Sequence, residues 1–122
     1  MNLSDRLFAD FPEVRYVASY VRGELSLSQR PGLEGASDSE TDRYEELLVN
    51  PTLLKLIEQR GNIDCGGLNY VLICYGNFYQ FVKAVPGGHI SVAINHEAHI
   101  SQLLPRLEES VRDLAMRPET SG

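Results

Sequence analysis

The run His96-Glu97-Ala98-His99 places two histidines around a glutamate. A zinc-protease helix needs its histidines four positions apart, so that both rings share one face with the glutamate between them. Here the histidines are one residue too close. His89 as a third ligand would lie at the other end of a strand, roughly 20 Å away at ~3.3 Å per residue. The run therefore reads as polar residues in a strand-to-helix connection. Cys65 and Cys74 are the only cysteines, nine positions apart. That spacing fits neither a zinc ribbon nor a redox pair, and Cys74 reads as a small core residue of a strand. Gly66-Gly67 and Gly87-Gly88 belong to no phosphate-binding pattern and read as turn or bulge glycines. No serine sits in a nucleophile elbow, and Asp64 beside Cys65 has no positioned base to work with. The expectation is a protein without catalytic residues, metal or cofactor.

Two further clusters bear on binding. Glu40, Asp42, Glu45 and Glu46 form an acidic helix face, which is ordinarily solvated and could also meet a basic partner. Tyr70, Tyr75 and Tyr79 suit cross-strand packing or a protein interface. The chain carries 17 acidic against 11 basic residues, a net charge of −6. That balance disfavours nucleic acid, which calls for a phosphate-neutralising basic patch, and anionic lipid for the same reason. No apolar run approaches the ~20 residues of a membrane span. The first residues show no basic segment followed by an apolar core, so a cytoplasmic setting with reduced thiols is expected.

The elements that must position these residues follow from periodicity. With 122 residues, 43% of them hydrophobic and 23% charged, the chain reads as one globular domain over residues 1–117 and a loose tail at 118–122. Residues 2–10 suit a short helix ended by Pro12. Val14 to Val21 alternates, with Val14, Tyr16, Ala18 and Tyr20 assigned to one face and Val17 and Val21 to the other. Arg22-Gly23-Glu24 is a turn, and Leu25 and Leu27 lie in a second strand. Residues 29–39 form a loop, with Ser39 a candidate helix cap. A bent or broken helix is expected across 40–60. Asn50 would cap its second piece with Pro51 in the first turn, and Gly61 would end it.

Leu68 to Tyr75, Phe78 to Val85 and His89 to Ile94 are three strands. Gly76-Asn77 is expected to make a primed turn between the first two, and Pro86-Gly87-Gly88 joins the last two. Ile100, Leu103, Leu104, Leu107, Val111 and Leu114 recur at helical spacing, with Leu103, Leu107, Val111 and Leu114 expected to face the sheet. Pro105 falls within that helix, near its start or at a kink. The predicted class is α+β: a five-stranded antiparallel sheet flanked by helices, in the order αββαβββα.

This order and size resemble the Roadblock/dynein light chain family. The similarity is best from Asp64 to Leu114, where the three strands with their Gly76-Asn77 and Gly87-Gly88 turns, and the helix from Ile100, match that family's last four elements. Asn50-Pro51 departs from its single long central helix. The resemblance implies a non-catalytic module, commonly a dimer, that partners a small Ras-like GTPase or a scaffold. In such a dimer the strand matching Leu68 to Tyr75 pairs at the sheet edge and the central helices pack side by side. An open apolar edge at Leu68 points the same way, because its unpaired backbone groups invite a second strand. The expected contact residues are Leu53, Leu54 and Ile57 on the helix, with Asn69, Val71, Ile73 and Tyr75 along the edge, and Val71 near the two-fold axis. A PAS-like small-molecule sensor is the alternative. It would need a cavity between sheet and helices, against which the bulky Leu, Ile and Phe content argues.

Overall fold

A computed structural model describes residues 2–32 and 39–116. The chain opens with helix α1 (Leu3–Asp10), capped where the Asn2 Oδ1 accepts from the Asp5 amide at 2.9 Å. Phe11 leaves the helix in extended conformation, as the residue before Pro12 must. Strands β1 (Val14–Val21) and β2 (Glu24–Gln29) follow. Their turn is Arg22-Gly23, with φ of 52° and 81°. Positive φ at both central residues gives the twist that a two-residue hairpin needs. Arg30 then ties the hairpin to α1, donating to the carbonyls of Phe8, Phe11 and Val14 at 2.6–3.0 Å.

A continuous helical layer comes next, made of α2 (Ser39–Tyr44), a π-helical turn (Glu45–Val49) and α3 (Asn50–Asp64). The remaining elements are β3 (Val71–Cys74), β4 (Phe78–Val85), β5 (Gly88–Asn95) and α4 (Ile100–Met116). The class is α+β, as the periodicities predict. All five strands pair antiparallel in the order β2-β1-β5-β4-β3.

The two sheet faces differ in chemistry. Leu7 and Phe11 from the N-terminal segment and Leu103, Leu107 and Val111 from α4 cover Val14, Val17, Phe81, Ile90, Val92 and Ile94, all buried. The alternate residues of β4 and β5 point to the helical layer: Gln80, Val82, His89, Ser91 and Ala93. Val14 does not share a face with Tyr16, contrary to simple alternation. The β1–β5 register shifts between Val14 and Tyr16, and the extra residue, Arg15, returns Val14 to the apolar face beside Val17.

Local chemistry corrects several expected boundaries. Asn50 is not a cap. Its backbone is helical and its side chain is buried. Pro51 lacks an amide hydrogen, and its ring would crowd the carbonyl four residues back in a regular helix. The preceding turn widens instead, with the Asn50 amide reaching the Glu45 carbonyl, and the Thr52 hydroxyl satisfies the Leu48 carbonyl at 2.6 Å. The helix runs on through a π turn rather than breaking. Nor does Gly61 end it. Gly61 is buried, and a Cβ there would meet the Gly67 backbone at 3.2 Å. The chain turns at Gly66 and Gly67, with φ of 79° and 91°. Gly76 and Asn77 do not form a primed turn, since neither has positive φ; the Tyr75 amide bonds the Phe78 carbonyl at 2.9 Å. Pro105 sits in the second turn of α4, which continues through it to Met116. The expected loop at 33–38, the capping side chain of Ser39 and the tail beyond Met116 lie outside the described residues.

Candidate interaction surface and the polar network beneath it

The outer face of the helical layer carries Leu47, Leu48, Leu56 and Ile63 at 40%, 52%, 63% and 76% exposure. Such side chains concentrated on one layer of a small domain make that layer a candidate contact surface. The resemblance and the open strand edge put the expected helix contact on Leu53, Leu54 and Ile57. Leu54 is a correction: it is 5% exposed and belongs to the inner side of α3. Leu53 and Ile57 are half-buried. All three lie in the regular helix α3, and periodicity alone does not tell whether an apolar stripe meets the sheet or a partner.

Strand β3 is an edge strand, pairing with β4 alone in this chain. Val71 pairs with Val82 and Ile73 with Gln80, so both look toward the helical layer, and both are half-buried. The edge is shorter than the run Leu68 to Tyr75. The Asn69 carbonyl accepts from the Lys83 ammonium at 2.8 Å, and so does its Oδ1 at 3.0 Å. A side chain therefore takes the place of a ladder partner before Val71. Lys83 is itself held by Glu108 of α4 at 3.7 Å.

Beneath the helix lies a buried polar network that periodicity did not find. Glu46 has no exposed surface. Its Oε1 lies 2.8 Å from His89 Nε2 and accepts from Asn50 Nδ2 at 3.0 Å. Its Oε2 accepts from the Tyr16 hydroxyl at 3.4 Å. Burial, reinforced by the charge of Glu46, pushes the Tyr16 phenol far up, so it stays a donor. Gln80 and Ser91 form a second buried hydrogen bond on the same face. Asn50 Oδ1 is buried with no hydrogen-bond partner among the described residues. Glu46 reads as one more acid in a solvated face, yet the π turn aims it into the sheet.

Its neighbour Glu45 goes the other way. Glu45 Oε2 accepts from the Tyr75 hydroxyl at 2.7 Å. Burial pushes the Glu45 carboxyl above its ordinary range, the Tyr75 bond opposes this, and Glu46 and Asp42 add to it. The Tyr75 phenol is pushed up to about 12, chiefly by burial and then by Glu45. Tyr75 so joins the end of β3 to the π turn. A groove of about 540 Å³ opens beside it, between the turn after β3 and the helical layer.

The histidines do not converge. His96 and His99 are exposed beyond β5, while His89 is buried against Glu46. His96 instead stacks near Tyr79, with centroids 5.2 Å apart, and its Nε2 lies 3.8 Å from Cys74 Sγ. Both cysteines are exposed and free, so Cys74 is not a core residue. Gly88 packs against the Tyr20 carbonyl so closely that no Cβ fits. That accounts for the Gly87-Gly88 pair by packing at the strand junction. No helix among the described residues is long and apolar enough to cross a membrane. No family model matches the chain, and no curated protein matches it.

Proposed function

We propose that this chain is a non-catalytic interaction module that pairs with a second copy of itself and presents the joined surface to a small Ras-like GTPase or a scaffold protein. One observation carries the reading: exposed Leu47, Leu48, Leu56 and Ile63 lie on the helical layer, and that layer is tied through Glu45 to Tyr75, just past β3, the open edge of the sheet. Apolar area and unpaired strand backbone are each costly to leave in water, and a two-fold pairing covers both at once. The short β3 makes the helix the larger contributor. The resemblance in element order to the Roadblock/dynein light chain family supports the same assembly and supplies the GTPase as partner class. A net charge of −6 suits a basic patch on that partner.

Light scattering on the full chain tests the pairing, and a dimer at micromolar concentration is the expected result. A pull-down from cytoplasm with and without a non-hydrolysable GTP analogue tests the partner. Retention of a GTPase that depends on the analogue is expected. A monomeric wild type would overturn the pairing, and indifference to the nucleotide would overturn the GTPase.

A further inference from the structure

The groove beside Tyr75 has walls of unusual composition for an acidic surface. Tyr75 and Phe78 stand with ring centroids 5.2 Å apart and planes at 47°, forming a corner. Tyr44, 59% exposed, lines the groove from α2. Glu45 and Asp42 line it on the same side. Among the described residues no Lys, Arg or His forms an ion pair with the half-buried Glu45. The guanidinium of Arg15 stands 5.8 Å above the Phe78 ring, so that ring already meets one cation.

We infer that this groove binds a small organic cation of the methylated ammonium class, held between the Tyr44, Tyr75 and Phe78 rings and the Glu45 carboxylate. Ring faces attract positive charge through their quadrupole, and the attraction strengthens as water is removed. A bare ammonium or a metal ion keeps its water tightly, and aromatic walls cannot replace that water. A methylated ammonium is weakly hydrated and brings apolar surface that rings can cover. A half-buried carboxylate then supplies the counter-charge. At about 540 Å³ the groove lies within the range of sites for free small ligands. Occupancy would favour ionised Glu45, because a nearby positive charge stabilises the carboxylate. This site adjoins the proposed pairing surface: the groove lies just past the last ladder residue of β3, Cys74, and its Tyr44 and Glu45 precede Leu47 and Leu48 on the same helical layer.

The test is an amide NMR titration of the full chain with choline. 3,3-Dimethylbutan-1-ol, the neutral isostere with carbon in place of nitrogen, is the control, and a trimethyllysine peptide forms a third arm. The expected result is saturable shifts confined to the groove, centred on Tyr75, Gly76, Asn77 and Phe78, with the isostere at least about tenfold weaker, the factor that ~1.4 kcal/mol of cation–π and ionic attraction provides. Choline should also lower the pH at which the Glu45 carboxyl carbon titrates. Glu45→Gln should weaken choline severalfold while keeping the wild-type amide spectrum elsewhere, and Tyr75→Leu should do the same by removing one wall. Equal binding of the neutral isostere would overturn the cation assignment. Tighter binding of the peptide than of choline would overturn the free-ligand assignment in favour of a partner's side chain. Absence of any saturable shift would overturn the site.

Discussion

Glu46 Oε1 and His89 Nε2 are 2.8 Å apart across 43 residues of sequence, with side chains 0% and 3% exposed. The contact pins the π turn to the start of β5. His89→Leu leaves the carboxylate buried with one partner fewer, and should cost ~3–5 kcal/mol. Adding Glu46→Leu should restore part of the loss, because two apolar groups need no pairing. Denaturant midpoints of the single and double variants check this. Additive losses would mean that the pair does not act as a unit.

Leu107 is fully buried in the middle of α4. Leu107→Ala should cost ~2–5 kcal/mol through lost burial and the cavity left behind. An unchanged midpoint in urea would contradict the packing of α4 on the sheet.

The Glu45 carboxyl is pushed up in the folded chain. A raised carboxyl pKa means that the native state holds the proton more readily than the unfolded state. Its contribution is therefore fully present below the ordinary glutamate value, about 4.3, and is lost as pH rises through the folded value. Glu45→Gln keeps an acceptor for Tyr75 and removes the charge. Thermal melts should show the variant more stable than wild type at neutral pH, with the gap closing toward pH ~4. A gap that widens in acid would reverse the sign assigned here.

Leu56→Glu puts a charge on the most exposed of the helix leucines, and Ile73→Lys puts one at the edge strand. If the pairing reading holds, each should shift the mass by light scattering from dimer to monomer while leaving the circular dichroism spectrum intact. A dimer that survives both changes would place the contact elsewhere.

Gly88→Ala should be among the most damaging single changes in the sheet, because the new methyl would collide with the Tyr20 carbonyl. Overpacking of this kind costs ~1–3 kcal/mol or more. Gly23→Ala meets no neighbour within 4 Å and suffers only from its φ of 81°. Urea midpoints for the two should separate crowding from backbone strain.

The sheet and α4 were legible because their periods are uninterrupted. Ile90, Val92 and Ile94 alternate through β5, and Leu103, Leu107 and Val111 repeat on one helix face. What escaped reading sits where one extra residue breaks a period. The bulge at Arg15 moves Val14 to the opposite face from the one alternation assigns, and the π turn sends Glu46 inward while leaving Leu47 and Leu48 in water. A pattern search sees residue types at fixed steps, so a local change of step hides both a buried acid and the exposed leucines. Leu54 differs for another reason: it shares an apolar stripe with Leu53 and Ile57, and periodicity does not say which flank of such a stripe meets the sheet. The bond from Lys83 to Asn69 escaped too, because it joins residues 14 apart across a turn.

A π turn is in effect an α-helix that has accepted one inserted residue. Deleting a residue between Glu45 and Val49 would restore ordinary winding and rotate everything before it by about 100° about the helix axis. Tyr44 and Asp42 would swing off the groove, and Glu46 and Glu45 could no longer point to opposite neighbours. A helix of the same composition but one residue shorter would still form. It would separate the Tyr75 side of the molecule from the His89 side, which in this chain are coupled through adjacent glutamates. The length of this segment, more than the identity of any residue in it, lets a single helix address the interior and the surface at once.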